Sequence, residues 1–454
     1  MNIMKLSKDK IKATEYFDNE FNKLNAKPTK DILNRMITIN CKFSDKQGVV
    51  KYFDMLKDYN LKPSMSTLEK VINTHMECND ITGAIKYVKM MKDMKMKIKY
   101  YILLNIIKKY ILQGQRNEAF EFIKTIKNEL NRIPDLAIIN IVIAAYANSR
   151  ECKFGTIKCL KMMEDFKIIP DLNIMNTIIS AHSRAKDKNG AVQYFNMLRF
   201  ELKLIPDSIT MSAVIDAHAR VGDIKGTETY LLMTLNDFKL CPNLFTMNAV
   251  IGAHAKVGDK EGAVVYFNML LEQLKLKPDI ITMTSLINAH KQSKDKAGAM
   301  KYFKMMIEVF QIEPDIISMT AVLYTIVRDE NRDTIDTIEY FKEIDDFIAL
   351  IDSMNIKKNS YVYFALIEAC KFQDDKMRSI VWFDDLIRNN IQFDAYQWGE
   401  VCYLFKSTIG PNDFNEYKKK HELFFQDREK SVTYKKYGNP WNPHPSKIIK
   451  DKEI

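Results

Sequence analysis

The sequence predicts an all-α protein, a solenoid of helical hairpins, and three observations support this. Nearly the same thirteen residues recur as PDSITMSAVIDAH from Pro206, PNLFTMNAVIGAH from Pro242 and PDIITMTSLINAH from Pro278. The interval between copies is constant, and the apolar residues within each copy have helical spacing. A hairpin of this length is too small to bury its own apolar face. Neighbouring hairpins must therefore stack into a core with a groove along one side.

Pro-Asp or Pro-Asn pairs mark the ends of repeats over most of the chain. Successive pairs lie 36 residues apart from Pro134 to Pro314, and Pro-Thr and Pro-Ser continue the series upstream. Downstream, Asn359 follows Asp315 only after 44 residues, which predicts an insertion near RDENRDTID. Positions are counted below from the first residue of each repeat. The array contains about ten repeats: 30–64, 65–99, 100–135, 136–171, 172–207, 208–243, 244–279, 280–315, 316–359 and 360–394.

Each repeat carries the signals of two helices joined by a tight turn. In the repeat 244–279, apolar residues spaced three and four apart predict a first helix around Val250 and a second around Phe267. Between them, Gly258 suits the left-handed residue that ends a helix, and Asp259 suits the N-cap of the next. The terminal proline stops the second helix, and the Asp or Asn after it caps the following repeat.

The ends of the chain depart from the repeat pattern. Residues 1–29 are expected to form an N-terminal helical cap or a truncated repeat. Residues 395–430 have the pattern of degenerate closing helices. Residues 431–454 are Pro-containing and are expected to be extended.

Composition and charge exclude several classes of protein. The 454 residues are 46% hydrophobic and 28% charged, as in soluble folded proteins, and no apolar run is long enough to predict a membrane span. The seven cysteines are scattered and form no C-x-x-C pair, which argues against a disulfide framework or a zinc site. The formal net charge of +10 is compatible with a nucleic-acid partner.

The repeats resemble pentatricopeptide repeats in an array of the P type. Between them, SITMSAVIDAHARVGD and PDIITMTSLINAHKQSKDKAGAMKYFKMM show a leading aliphatic pair, a small polar residue at position five, an A-[HY]-[AS]-[KR]-x-G-D turn and a terminal Pro-Asp. The resemblance covers about 30–394 and is strongest over 136–315. Two features depart from the family: position four is methionine rather than aromatic, and many repeats are one residue longer than usual. The resemblance implies a right-handed superhelical solenoid that binds single-stranded RNA, with no cofactor and no small-molecule substrate.

In that family the residue at position five and the last residue of a repeat face one base. The resemblance therefore implies the base-reading pairs Asn140 with Asp171, Asn176 with Asp207, Ser212 with Asn243, Asn248 with Asp279, Thr284 with Asp315, and Thr320 with Asn359. The family's code gives U-U-A-U-G-A for these six repeats, from 5′ to 3′. Outside them, three pairs match no base: Glu69 with Lys99, Leu104 with Asp135, and Phe364 with Asp394.

The resemblance also implies residues that stack on bases and residues that contact phosphates. The residues implied to stack on bases are those at position two: Ile209, Phe245, Ile281 and Ile317. Phosphate contact falls to position thirteen, occupied by Arg184, Arg220 and Lys256. The alternative interpretation, helix packing for the first set and solvated helix ends for the second, stays open.

Histidine recurs at position eleven, as His75, His182, His218, His254 and His290. One imidazole per repeat is too widely spaced to share an ion, so we expect a packing role and no metal site. The H-x-E and C-x-x-C motifs of a zinc deaminase are absent. Since no catalytic constellation is found, the sequence does not predict an enzyme.

The sequence thus predicts a sequence-selective, single-stranded RNA-binding protein. The resemblance implies a role in organellar (mitochondrial) RNA processing, stability or translation, with ribosomal or RNA-processing proteins as further partners. The N-terminus lacks the Arg- and Ser-rich, acid-poor character of a transit peptide, so localisation rests on the resemblance. Two alternatives stay open: a structural RNA-binding subunit of a mitochondrial ribosome or other ribonucleoprotein, and a protein–protein scaffold of tetratricopeptide type.

Overall fold

The computed structural model describes residues 10–23, 27–128, 133–149, 152–330, 332 and 334–431. Every regular element in these residues is a helix, which confirms the all-α fold class. The predicted extended tail, apart from Ser431, and the first nine residues of the predicted cap lie outside the described residues. The chain divides into an N-terminal body, Met1–Pro206, and a C-terminal body, Asp207–Ile454.

The N-terminal body contains a short leading helix and five hairpins. Its helices are α1 (Lys10–Phe17), α2 (Lys30–Lys42), α3 (Lys46–Asp58), α4 (Met65–Glu77), α5 (Ile81–Asp93), α6 (Tyr100–Leu112), α7 (Arg116–Asn128), α8 (Leu136–Ala147), α9 (Cys152–Asp165), α10 (Leu172–Arg184) and α11 (Lys188–Asn196). π-Helical turns extend α1 over Asp18–Lys23 and α11 over Met197–Glu201.

The C-terminal body continues the same pattern with five hairpins and three closing helices. Its helices are α12 (Ser208–Ala219), α13 (Ile224–Asn236), α14 (Leu244–Val257), α15 (Lys260–Asn268), α16 (Ile280–Gln292), α17 (Lys296–Glu308), α18 (Ile316–Val327), α19 (Thr337–Ser353), α20 (Ser360–Phe372), α21 (Lys376–Arg388), α22 (Ala395–Ile409), α23 (Pro411–Lys420) and α24 (Glu422–Ser431). A π-helical turn extends α15 over Met269–Gln273.

Even-numbered helices from α2 to α20 are the first helices of hairpins, and odd-numbered helices are the second. Within each body, a first helix packs against the second helix of its own hairpin and against the first helix of the next. The core lies between these layers, where Met247, Val250 and Ile251 of α14 are fully buried. One face of each body is therefore built from first helices alone, as expected for stacked hairpins.

The predicted turn signals are confirmed. Gly258 ends α14 in the left-handed conformation, with a φ of 79°. Asp259 caps α15 by accepting a hydrogen bond from the Gly262 backbone N–H at 2.9 Å. Equivalent caps are formed by Asp187, Asp223 and Asp295.

The recurring histidine lies buried inside each hairpin and connects its two helices. His254 Nδ1 contacts the Asp259 carboxylate at 2.8 Å, and its ring packs against Tyr266 with centroids 5.1 Å apart. Gly262 leaves room for the imidazole, because a Cβ there would overlap His254 Nδ1. His75, His182, His218 and His290 make the same contacts with Asp, Gly and Tyr. The histidines therefore have the packing role that their spacing predicts.

In four of the 36-residue repeats, the additional residue is accommodated where the second helix ends. In the 35-residue repeat 30–64, the Leu61 N–H bonds to the Leu56 carbonyl, five residues back, at 2.7 Å. In the repeat 244–279, the Leu276 N–H reaches six residues back to the Leu270 carbonyl at 3.0 Å. The same six-residue bond closes the repeats that end at Asp207, Asn243 and Asp315. A wider helical turn thus absorbs one residue without changing the next cap.

An aromatic cluster closes the C-terminal body. The rings of Phe383 on α21 and Phe405 on α22 stack with centroids 4.1 Å apart, and Trp398, Tyr417 and Phe425 complete the cluster. Residues 395–431 thus form helices whose apolar side chains cover the last hairpin, which would otherwise expose its face to water.

We expect Gly262→Ala to destabilise the protein by about 2 kcal/mol, because the new methyl would overlap the buried His254 ring. Gly252→Ala is the matched control. A Cβ at that helical position meets only Ser285 Oγ, at 3.9 Å, so we expect stabilisation of about 0.5–1 kcal/mol. Urea unfolding of both variants measures the difference, and equal effects would contradict the packing interpretation.

We expect the capping carboxylates to make stability fall in acid. The pKa of Asp80 is lowered to about 2 because it accepts the Gly83 backbone N–H, an effect that burial opposes and that His75 and Lys46 reinforce. This contribution is complete above the unfolded-state pKa near 4 and is lost as pH falls towards 2. The Tm difference between wild type and Asp80→Asn should therefore be largest above pH 5 and shrink towards pH 2. A difference that is constant over this range would contradict the assignment.

Candidate nucleic-acid interface

At position two, each of four consecutive first helices carries one large apolar side chain that is exposed to solvent. Ile209, Phe245, Ile281 and Ile317 are between 55% and 60% exposed. In the two preceding repeats the position holds the exposed Ala137 and Asn173, which offer no such surface. An apolar side chain repeated at this exposure is suited to a flat apolar ligand such as a base.

Sequence reasoning missed three tyrosines that occupy the equivalent position outside the six repeats. They are Tyr101, Tyr361 and Tyr396, all exposed. Each is the second residue after a helix cap, and this spacing is the signal that could have found them. Tyr361 and Tyr396 extend the row of exposed side chains in the C-terminal body, and Tyr101 offers a ring at the same position in the N-terminal body.

The last residue of each repeat has a structural role as an N-cap. Asp171 accepts the Ile174 backbone N–H at 2.9 Å, and Asn243 accepts that of Thr246 at 2.9 Å. Asp207, Asp279, Asp315 and Asn359 cap their helices in the same way. Capping holds each of these side chains at a defined place at the start of the following helix.

The pair Asn248 and Asp279 is joined by direct contact. Asn248 Nδ2 donates to Asp279 Oδ1 at 3.0 Å, and the Thr282 hydroxyl donates to Asn248 Oδ1 at 2.6 Å. Among the described residues, Asp279 Oδ2 has no hydrogen-bond partner. The pair therefore offers one amide N–H as a donor and one carboxylate oxygen as an acceptor.

Ser212 and Asn243 meet through the same type of bridge. Ser212 Oγ lies 2.6 Å from Thr246 Oγ1, which in turn lies 3.0 Å from Asn243 Oδ1. Ser212 also donates to the Ser208 carbonyl at 2.6 Å, so its hydroxyl is largely engaged within the protein.

Three of the remaining predicted pairs, those of Asn140, Thr284 and Thr320, show no such bridge among the described residues. Within the described part of the chain, Asn140 Oδ1 and Thr284 Oγ1 are buried without a hydrogen-bond partner. Thr320 donates to the Ile316 carbonyl. Asn176 is buried in the N-terminal body, whereas Asp207 belongs to the C-terminal body.

Outside the six repeats, protein contacts occupy the corresponding positions. Glu69 and Lys99 form an ion pair at 2.9 Å, and the Tyr100 hydroxyl donates to Asp135. At the other end, the Phe364 ring lies 6.5 Å from the Tyr324 ring, measured between centroids. None of these groups presents a small polar pair to a ligand.

The cations at position thirteen lie on the exposed side of the first helices. Arg184 donates to Asn148 Oδ1 at 2.9 Å, and Lys256 donates to the Arg220 carbonyl, each contact linking position thirteen of consecutive repeats. Arg220 pairs with Asp216 at 2.6 Å. Because these ends are exposed, their charge faces solvent and is accessible to an anion.

Metal-binding clusters and membrane-spanning helices are both absent from the described residues. No group of three or more His, Cys, Asp or Glu side chains is arranged to hold a metal ion. None of the helices in this part of the chain combines the length and the apolar character needed to cross a bilayer.

The solved structures that resemble this chain are helical repeat proteins. A crystal structure of the pentatricopeptide repeat protein PPR10 in complex with an 18-nucleotide psaJ RNA element covers 92% of this chain and 67% of that chain, with a TM-score of 0.55 and 13% identity. A variant of PPR10 with three cysteines replaced by serine, bound to the same RNA element, gives the same values. Yeast Rmd9p in complex with a 16-nucleotide target RNA covers 92% of this chain and 88% of that chain at 12% identity, but its TM-score of 0.31 is too low to support an argument. At these identities the likeness shows the fold alone.

Family profiles identify the repeats in the C-terminal body. The profile for the pentatricopeptide repeat domain matches residues 271–329, and that for the PPR repeat matches residues 245–273. No curated protein matches the chain. The matched segments coincide with hairpins of the array, and the array has the fold of the solved pentatricopeptide repeat structures. The chain is a pentatricopeptide repeat protein.

Proposed function

We propose that this protein is a non-enzymatic, sequence-selective single-stranded RNA-binding protein that reads about one base per repeat. The arrangement of Asn248 and Asp279 carries this proposal. A donor and an acceptor lie side by side on the face built from first helices, beside the exposed Phe245 of the same repeat. Hydrogen-bonding groups next to an apolar surface are what recognition of an unstacked base requires.

The six repeats would then select U-U-A-U-G-A, read from 5′ to 3′. The RNA named in the PPR10 structures supports RNA as the ligand class. Exposed cations at position thirteen would contact phosphates and contribute affinity without base choice.

We propose a mitochondrial role in the processing, stability or translation of a transcript, with ribosomal or RNA-processing proteins as partners. Family resemblance is the support for this location. Fractionation of cells that express the tagged full-length protein tests it, and recovery of the tag outside mitochondria would contradict it.

A second candidate function is a structural RNA-binding subunit of a ribosome or another ribonucleoprotein. The Glu69–Lys99 ion pair and the Tyr100–Asp135 contact favour it, because they leave whole repeats without a base-reading pair. Co-sedimentation with ribosomes at high salt would support this candidate, whereas a free factor should separate from them. A protein–protein scaffold of tetratricopeptide type predicts no RNA crosslink at Asn248 or Thr284.

We expect the purified protein to bind an RNA that contains UUAUGA at least tenfold more tightly than a shuffled version, by fluorescence anisotropy. The preference should persist at high salt, while overall affinity falls with a log–log slope of roughly −2 if three phosphates are contacted. Equal binding of both RNAs would contradict base reading and favour the ribonucleoprotein subunit.

We expect Asn248→Thr to shift the fourth base from U towards G, because it recreates the Thr–Asp pair of the repeat 280–315. Thr284→Asn is the reciprocal control and should shift the fifth base from G towards U. Binding to RNAs that carry each base at each position measures both changes, with about tenfold effects expected for a lost edge contact. A uniform loss of affinity at all positions would contradict the assignment.

A further inference from the structure

A buried hydroxyl at position three recurs between the two base-reading residues of the preceding repeat. Thr282 bridges Asn248 and Asp279, and Thr246 bridges Ser212 and Asn243. The N-terminal body contains a third instance in the repeat 30–64, whose position five is Asn34 and whose last residue is Ser64. There, Thr67 Oγ1 lies 2.8 Å from Asn34 Oδ1 and 2.7 Å from Ser64 Oγ. The side chains of all three threonines are almost completely buried.

We propose that Thr282 is a positioning residue for base selection, and that Thr246 has the same role one repeat earlier. This inference rests on the proposed RNA-binding function. Thr282 is fully buried and is not accessible to a base, so it acts through the amide of Asn248. It adds a third residue to the pair Asn248 with Asp279 and to the pair Ser212 with Asn243, and it assigns a function to position three of the following repeat.

The local hydrogen bonds define the orientation of the Asn248 amide. The Asp279 carboxylate only accepts hydrogen bonds, so the amide NH₂ group faces it, at 3.0 Å. The amide oxygen then faces Thr282, whose hydroxyl donates to it at 2.6 Å. The hydroxyl oxygen also accepts the Asp279 backbone N–H at 3.2 Å, which holds the hydroxyl in place. Rotating the amide by half a turn would direct an NH₂ group at this hydroxyl and the oxygen at a carboxylate.

A fixed amide discriminates between the two pyrimidines. With the oxygen engaged, Asn248 presents a free N–H, and Asp279 presents Oδ2 as an acceptor. Uracil offers a carbonyl acceptor next to an N–H donor and so complements this pattern. Cytosine offers an amino donor next to a ring-nitrogen acceptor. In the same position its donor would face the Asn248 N–H and its acceptor would face the Asp279 carboxylate oxygen. Without Thr282, the amide loses one of the two contacts that set its orientation, and cytosine becomes more acceptable.

The chain contains its own comparison for this effect. Asn140 and Asp171 form the same type of pair, but position three of the following repeat is Ile174 rather than threonine. Asn140 Oδ1 is buried and has no partner among the described residues, whereas the equivalent oxygen of Asn248 accepts from Thr282. The repeat 136–171 should therefore distinguish U from C less well than the repeat 244–279.

The test compares binding of the full-length chain to UUAUGA-containing RNA and to versions with C at the first or the fourth base. In wild type, we expect the preference for U over C to be greater at the fourth base than at the first. Thr282→Val should reduce the preference at the fourth base about three- to tenfold and leave the first base unchanged. Thr282→Ser, which keeps the hydroxyl, should retain the preference.

Ile174→Thr is the gain-of-function variant, and it should raise the preference for U at the first base about three- to tenfold. Thermal melting checks folding, because Thr282 also belongs to a capping box with Asp279. If Thr282→Val does not fold, Ile174→Thr decides the question alone. A wild-type protein with no preference at either base would overturn the proposed function. A wild-type preference that Thr282→Val retains, or an Ile174→Thr variant with no gain, would overturn only the role of position three.

Discussion

The structure depends on the short polar residue that caps most of its helices. A helix begins with backbone N–H groups that have no partner inside the helix, and an Asp, Asn, Ser or Thr side chain satisfies one of them. Asp259 performs this task between the helices of a hairpin, and Asp279 performs it between repeats. Because the caps recur once per turn of the hairpin pattern, they fix where most helices of the array begin. The wider turns that end four of the 36-residue repeats keep the next cap in place when a residue is added.

The two kinds of cap have additional and different partners. The cap inside the hairpin accepts from a buried histidine, which packs over a glycine and against a tyrosine. This contact sets the distance between the two helices of the hairpin and leaves no room for a Cβ at the glycine position. The cap between repeats instead lies beside position five of the preceding first helix. The same residue type thus contributes to the core when it caps the second helix of a hairpin, and to the candidate site when it caps the first helix of the next repeat.

The candidate site is rigid because one of its base-reading residues, Asp279, is also the N-cap of α16. Asp279 is held before any ligand arrives, because its carboxylate accepts the Thr282 backbone N–H and its own backbone N–H donates to the Thr282 hydroxyl. Preorganised polar groups lose little conformational freedom on binding, so more of their hydrogen-bond energy contributes to affinity and selectivity. The exposed side chains at position two are held less tightly, which suits stacking on any base rather than choice among bases.

Residue spacing alone specifies the periodicity, the hairpins, the caps, the small polar pairs and the histidine that recurs in five repeats. These features depend on positions along one helix or across one turn, and local propensity defines them. Which polar residues meet across neighbouring helices follows only from the packing of the hairpins. The tertiary structure shows that Glu69 is paired with Lys99, that Thr282 bridges a base-reading pair and that Asn140 Oδ1 is left without a partner within the described residues. Such contacts join residues about thirty positions apart, and their distances depend on how consecutive helices pack. A period read from the sequence does not specify that packing.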